Sequence, residues 1–230
     1  MKGVADKSVD LVVTDAPYLF VKAQNPNTYE NTKSKFGKSD LYRFDGEMLD
    51  DMGNFGKEDI YRLCNECERV TKGMHGYFFC SESQVPYYCN WALEKGYLFS
   101  ILVWEKPLSI ISKVRMSQNL EYIIRIYKPN YAHIFVRDNN DLYNRVAHTT
   151  PVLGKQRCHS TQKPIDLMAR YILLSTEEND IVLDPFLGSG TTALACIRTK
   201  RRFIGFEKSE KYFKIASERI KAEQSQLTLF

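Results

Sequence analysis

The sequence has no long apolar run and no dense set of cysteines. Residues 1–10 are polar, so we expect no signal peptide. No apolar stretch approaches the roughly 20 residues that a membrane-spanning helix needs. The six cysteines are scattered along 230 residues, which is typical of a reducing compartment and not of a disulfide framework. We therefore expect a cytoplasmic protein that does not associate with membranes.

Metal-binding and phosphate-loop motifs are missing as well. Cys64 and Cys67 fall on the apolar stripe of a helix predicted over residues 57–72, and the other cysteines and histidines are poorly spaced to complete a zinc site. No metal is expected. A Walker phosphate loop is excluded because no Gly-Lys-Ser/Thr follows a glycine turn, and the glycine spacing disfavours a G-x-G-x-x-G dinucleotide turn.

Length and composition fit one globular domain over residues 1–230. Hydrophobic residues make up 43% of the chain, which is enough for a single well-buried core. The formal net charge of +4 permits a nucleic-acid partner without requiring one.

The most informative stretch runs over residues 181–192. An apolar strand at 181–183 leads into a turn with Gly188 and Gly190, and a helix follows from Thr191. Glycine allows positive φ and close approach of a ligand, and open α/β sheets bind ligands at the carboxyl ends of their strands. A second apolar run ends on Glu207, where an acid can bond ribose hydroxyls; the alternative is that Glu207 only starts the next helix.

A second turn of interest follows a strand predicted over residues 8–14. It reads Asp15-Ala16-Pro17-Tyr18, and Pro17 ends the strand because it cannot donate to a ladder. Strands are predicted at 76–80, 97–104 and 120–127; the strand at 97–104 is expected to be buried and to form an antiparallel pair with the strand at 120–127. Helices are predicted near 85–96, at 165–175 and after Ser209, with Leu93 and Phe213 on the apolar faces of the first and the last. The sequence therefore predicts a doubly wound, mostly parallel α/β sheet with an antiparallel strand and a small inserted region.

Basic side chains concentrate outside these elements. Residues 20–59 and 129–158 show no clear periodicity, and a polar loop lies between 106 and 119. These segments are predicted to contact DNA phosphates and bases, although a solvated loop or an ordinary exposed insertion would look the same. The candidate contacts are Lys22, Lys33, Lys35, Lys38, Lys113, Arg115, Arg137 and Arg145.

Together these stretches resemble the β-group, or permuted, amino-methylating DNA methyltransferases of the N6-adenine/N4-cytosine type. Residues 15–18 are similar to the family's catalytic Asp-Pro-Pro-Tyr, residues 184–192 closely match its cofactor turn, and residues 159–164 resemble the segment that precedes it. The resemblance implies a Rossmann-like fold, S-adenosylmethionine as cofactor and double-stranded DNA as substrate. It assigns cofactor contacts to Asp184, Phe186, Gly188, Ser189, Gly190, Thr191, Thr192, Glu207, Ser160, Gln162, Lys163 and Pro164.

The catalytic residues implied are Asp15, Ala16, Pro17 and Tyr18. Asp15 and the Ala16 carbonyl would accept hydrogen bonds from an exocyclic amine, and Tyr18 would stack on a flipped base. Asp at the first position leans towards adenine N6, whereas a C5-cytosine mechanism is disfavoured because no cysteine follows a proline. N4-cytosine methylation and a DNA-binding protein with a decayed site stay open.

Two departures from the family pattern bear on activity. Ala16 replaces a proline, so we expect a looser turn. The sequence begins too late to include the family's adenine-contacting strand, so we expect that this module is missing or that another element replaces it. Because both recognition segments are short, we also expect a short DNA target or a second subunit that shares recognition, as in a homodimer.

Overall fold

A computed structural model of the protein describes residues 1–19, 55–106, 119–135, 140–149 and 162–227. The strands are β1 (Leu11–Asp15), β2 (His75–Cys80), β3 (Leu98–Glu105), β4 (Leu120–Tyr127), β5 (Val146–His148), β6 (Ile181–Asp184) and β7 (Arg202–Gly205). The helices are α1 (Lys57–Val70), α2 (Val85–Glu94), α3 (Ile165–Ser175), α4 (Thr191–Arg198) and α5 (Glu210–Leu227).

The seven strands form one sheet in the order β5-β3-β4-β2-β1-β6-β7. Strand β4 is antiparallel to both β2 and β3, and the remaining pairs are parallel. This confirms the predicted mostly parallel sheet and the antiparallel pairing of residues 97–104 with 120–127. Because β1 lies between β2 and β6, the turns that follow β1 and β6 leave the same edge of the sheet side by side.

Hydrophobic residues cover both faces of the sheet. Val12 and Phe78 pack with α1 and α2 on one face, while Val13 and Tyr77 pack with α3 and α4 on the other. Successive residues of one strand thus point into two different hydrophobic cores, as expected for a sheet with helices on both sides. The predicted apolar stripe of α1 is confirmed, with Cys64 and Cys67 fully buried in it.

Three predictions about burial were wrong. The strand predicted as buried over residues 97–104 is mostly part-exposed, because β3 lies next to the three-residue edge strand β5. Leu93 and Phe213, placed on apolar helix faces, are 64% and 57% exposed because the buried sides of α2 and α5 lie elsewhere, at Trp91 and Ala216.

One part of the predicted insertion belongs to the sheet. Strand β5 falls inside residues 129–158 and pairs in parallel with β3, with Trp104 opposite Ala147. Its three residues are too few for a periodic signal, so no sequence pattern predicts a strand there. Among the helices in the described ranges, none is long and apolar enough to cross a membrane.

Candidate active site

The glycine turn after β6 is shaped by close packing. Gly188 and Gly190 have φ of 53° and 87°, the left-handed region that glycine adopts without strain. A Cβ on Gly190 would lie 3.2 Å from the Cβ of Ala216 in α5, and one on Gly205 would lie 2.7 Å from the Leu187 side chain. The turn therefore sits tightly against β7 and α5, with its other side towards a cavity.

Asp184 ties this turn to the neighbouring strand. One carboxylate oxygen accepts hydrogen bonds from Thr14 Oγ1 at 2.7 Å and from the Phe186 amide at 3.1 Å. The other accepts one from Thr192 Oγ1 at 2.6 Å. Burial raises the pKa of Asp184 to about 6, against the lowering effect of these hydrogen bonds. Asp184 thus links β1, β6 and α4 through neutral donors alone.

Glu207 connects the glycine turn after β6 to the segment that leads into α5. Its carboxylate accepts hydrogen bonds from the Gly188 amide and the Ser209 amide, both at 2.8 Å. One bond fixes the glycine turn and the other fixes the chain entering α5. Because each carboxylate oxygen has two lone pairs, Glu207 keeps the capacity to accept from a ligand hydroxyl.

The turn after β1 is held by a short 3₁₀ segment, Glu82–Gln84. The Gln84 side-chain amide donates to the Pro17 carbonyl at 2.9 Å, and Ser83 Oγ donates to the Leu19 carbonyl at 2.9 Å. Gln84 is 1% exposed, so these are bonds in a buried setting. The turn therefore has restraints other than the proline ring that Ala16 lacks.

Asp15 ends β1 in contact with a buried lysine. Lys163 Nζ lies 2.6 Å from Asp15 Oδ2 and 3.1 Å from Glu121 Oε2, and its side chain is 4% exposed. Among the described residues, Asp15 Oδ1 is buried and has no hydrogen-bond partner. Buried acceptors are normally satisfied, so this atom is available to a donor that enters from outside the chain.

Glu121 completes a cluster of two carboxylates and two ammonium groups. It accepts from the Tyr18 hydroxyl at 2.9 Å and pairs with Lys106 at 3.0 Å. Burial acts to raise the pKa of Glu121, but Lys163 and Lys106 outweigh it and lower that pKa to about 2. For Asp15, burial raises the pKa, and Lys163 acts against that rise.

Both turns line one cavity of about 730 Å³. Its wall includes Asp15, Tyr18, Lys163 and Glu207, together with the aromatic rings of Phe55, Phe186, Phe206 and Tyr212. A volume of a few hundred cubic ångströms with aromatic walls and a few convergent polar groups is typical of a small-molecule site. The cavity brings the two sequence motifs together, although they lie more than 160 positions apart.

A comparison with protein families identifies the family of the chain that contains these two turns. The model of the DNA methylase family, which covers the N6 and N4 enzymes, matches residues 9–218 and so includes both turns. The chain belongs to the N6/N4 DNA methylase family. The two turns predicted from the sequence, residues 15–18 and 184–192, therefore lie within the region that matches the family.

Individual relatives agree with this membership. The type II methyltransferase M2.MboI of Moraxella bovis is 27% identical over 95% of this chain and 83% of its own length. M2.DpnII of Streptococcus pneumoniae is 54% identical over 65 residues, which is 28% of this chain and only 24% of that relative. The solved structure of M1.HpyAVI with SAM has a TM-score of 0.65 and 27% identity, covering 93% of this chain and 89% of that one.

Most predicted site residues of this methylase line the cavity. They are Asp15, Ala16, Pro17, Tyr18, Gln162, Lys163, Asp184, Phe186, Gly188, Ser189, Thr191, Thr192 and Glu207. Gly190 lies behind the wall as the residue before α4, and Pro164 is buried at the start of α3. Ser160, Lys22, Lys33, Lys35, Lys38, Lys113, Arg115 and Arg137 lie outside the described residues. Arg145 is exposed just before β5 and does not line the cavity.

Sequence reasoning missed Glu121, Gln84 and Thr14. Glu121 is a charged residue at the start of an apolar strand that leads out of a polar loop, and that contrast is the one local signal it offers. The bonds of Gln84 to Pro17 and of Thr14 to Asp184 join distant positions, so no nearby pattern indicates them. The local Ser81-x-x-Gln84 pattern predicts a helix cap but not the contact with Pro17. Among the described residues, no group of His, Cys, Asp and Glu has the arrangement of a metal site.

Proposed function

We propose that this methylase transfers the methyl group of S-adenosylmethionine to adenine N6 in double-stranded DNA. The observation that carries the proposal is the buried, unpartnered Asp15 Oδ1 in a cavity shared with the glycine turn. A donor is needed to satisfy this oxygen, and an exocyclic amine supplies one. The glycine turn lines the same cavity, which supports the binding of a methyl donor next to Asp15.

The residues of the cavity fit S-adenosylmethionine. Gly188 presents its backbone to the cavity, Glu207 has free lone pairs for ribose hydroxyls, and Phe186 and Phe206 offer apolar faces. When bound, this cofactor supplies an electrophilic methyl group on a sulfonium sulfur. The relative M1.HpyAVI, solved as a SAM complex, supports the assignment.

The chain's own contribution is orientation of the target amine. Asp15 Oδ1 accepts a hydrogen bond from the amine, which turns the nitrogen lone pair out of conjugation with the ring and towards the methyl donor. The Ala16 carbonyl is the proposed second acceptor. After transfer the nitrogen carries one proton too many, and the Asp15 carboxylate can take it.

Tyr18 provides the surface for the flipped base. Burial raises the pKa of Tyr18 well above its usual value, so its hydroxyl stays protonated and donates to Glu121. This bond fixes the ring on the cavity wall, where a base can stack on it. Lys22, Lys33, Lys35, Lys38, Lys113, Arg115, Arg137 and Arg145 are proposed to contact the DNA around that base.

Adenine is proposed over cytosine because the first catalytic position is Asp15. The family model covers both the N6 and the N4 enzymes. The resemblance of residues 15–18 to the catalytic motif implies adenine, because N4-cytosine members more often have serine at the first position. A homodimer is also proposed, because the two recognition segments, residues 20–59 and 129–158, are short and a second subunit could share recognition of the DNA.

The test is transfer of labelled methyl groups from S-adenosylmethionine to unmethylated genomic DNA, followed by separation of the nucleosides. Label in N6-methyladenine is expected. Label in N4-methylcytosine would keep the machinery and change the base. An absence of label in DNA, with RNA and free nucleosides tested beside it, would overturn the proposal and leave the decayed-site alternative.

A further inference from the structure

In the methyl-transfer scheme above, Glu121 acts only as the acceptor that holds the Tyr18 hydroxyl, and its contact with Lys163 has no role. It lies opposite Trp104 where β4 begins, and its side chain is only 17% exposed. Oε2 faces the Tyr18 hydroxyl and Lys163, while Oε1 faces Lys106. A buried carboxylate with three partners is costly to desolvate, and many such groups could be replaced by apolar residues without loss of stability.

The geometry makes Lys163 a shared partner. Its ammonium lies 2.6 Å from Asp15 and 3.1 Å from Glu121, so neither carboxylate has the full charge of the lysine to itself. A charge-assisted bond draws electron density from its acceptor. A lysine paired with Asp15 alone would therefore make Asp15 a poorer acceptor for the target amine.

Tyr18 depends on the same carboxylate. Its hydroxyl donates to Glu121, and its ring centroid lies 5.2 Å from Lys163 Nζ. One side chain on β4 thus restrains both the acid and the aromatic ring of the turn after β1.

We propose that Glu121 is a positioning residue: it shares Lys163 with Asp15 and holds the Tyr18 ring, so that Asp15 remains a strong acceptor for the amine. The inference rests on the proposed function, because it assigns the amine to Asp15. Lys163 then acts chiefly as the charge partner of Asp15, in addition to the cofactor contact that the resemblance implies.

The test measures the pKa of Asp15 in two variants that shift it in opposite directions. The charged and titratable groups around Asp15 come from six different parts of the fold: Lys163, Glu121, Lys106, Tyr18, Cys80 and Asp184. Lys163→Met removes the cation and should raise the pKa of Asp15 by about 1 to 3 units. Glu121→Gln removes a like charge and leaves Lys163 to Asp15, so the pKa should fall by about 1 unit.

The readout is the carboxyl ¹³C signal of Asp15 across a pH titration, assigned by its loss in Asp15→Asn. Glu105→Gln is the matched control, since it removes the same charge from the adjacent strand at a side chain 42% exposed. The control should leave the Asp15 titration in place. Circular dichroism reports folding, and if one variant fails to fold, the other decides alone because each has a required direction.

Methyl transfer by the folded variants gives a second readout. Glu121→Gln should lower kcat roughly tenfold and shift the acid limb of the rate profile to lower pH, with S-adenosylmethionine affinity unchanged. An Asp15 titration that does not move in either folded variant would overturn the inference. Titrations that shift as expected in a protein without DNA methylation would instead overturn the proposed function and keep the inference about Glu121.

Discussion

Asp15 and Asp184 end neighbouring strands of the same sheet, Asp15 partly buried and Asp184 fully buried, and their hydrogen bonds differ in kind. Asp184 is satisfied by two threonine hydroxyls and a backbone amide, and both of its oxygens are used. Asp15 has a charged partner on one oxygen, and within the described part of the chain it has no partner on the other. A carboxylate whose oxygens all accept hydrogen bonds from the chain stabilises the fold, whereas a carboxylate with an unpaired buried oxygen can accept a hydrogen bond from a ligand.

Glu207 is an intermediate case at the same edge. Its two oxygens accept from backbone amides, as a structural acid would, yet the family resemblance gives it a ribose contact. The comparison of Asp15, Asp184 and Glu207 predicts that an acid bonded fully within the chain is structural and that an acid with an unpaired oxygen is functional. Four experiments test it, in order of decreasing expected effect.

The largest effect is expected for Asp15→Ala. Loss of the acceptor should lower methyl transfer by about 10³-fold or more, because both orientation and the proton acceptor are removed. S-adenosylmethionine affinity, measured by calorimetry, should stay close to that of the unmodified protein. Asp15→Asn sharpens the result, since it keeps the shape and removes the charge. Full activity in either variant would show that the unpaired Oδ1 of Asp15 is not needed for methyl transfer.

Glu207→Gln should weaken S-adenosylmethionine binding by about 10- to 100-fold. The amide removes the charge and presents N–H to one of the two backbone donors, and bonds to charged groups contribute about 1.5 to 3 kcal/mol. Glu210→Gln, three residues later at the first position of α5, is the control with the same chemical change. A lower melting temperature with unchanged affinity would place Glu207 with Asp184 as a purely structural acid.

Tyr18→Phe removes only the hydroxyl that donates to Glu121. The ring remains for stacking, so kcat should fall by about tenfold or less, whereas Tyr18→Ala should cost far more. Steady-state kinetics on DNA separates the two variants. Equal losses in Phe and Ala would show that the hydroxyl, and not the aromatic face, is what the site requires.

The sequence was sufficient for the parallel part of the sheet and for both turns. Residues 181–192 predict strand, turn and helix because the apolar run, the glycines and the following helix formers all lie within one short window. The antiparallel pair was predictable for the same local reason. Strand β5 was not, since three residues carry no period and its place depends on pairing with β3.

The bonds inside the site could not be predicted because each joins distant positions. Thr14 and Asp184 are 170 positions apart, Lys163 and Asp15 are 148 apart, and Tyr18 and Glu121 are 103 apart. Only the fold brings these pairs together. Sequence reasoning placed Lys163 with the cofactor, and the structure places its ammonium on Asp15, which a local motif does not reveal.

The smallest effect is expected for stability against pH. Burial raises the pKa of Asp184 from 3.8 to about 6 in the folded protein, so the folded state binds more protons than the unfolded state between these values. Stability contributed by Asp184 is therefore highest below about pH 4 and falls as pH rises through 6. Between pH 5 and 7.5 the unmodified protein should lose about 1 kcal/mol relative to Asp184→Asn in urea unfolding, because the amide cannot ionise. Equal pH dependence of the two proteins would show that Asp184 ionises without cost, and the contrast with Asp15 would then rest on their hydrogen bonds alone.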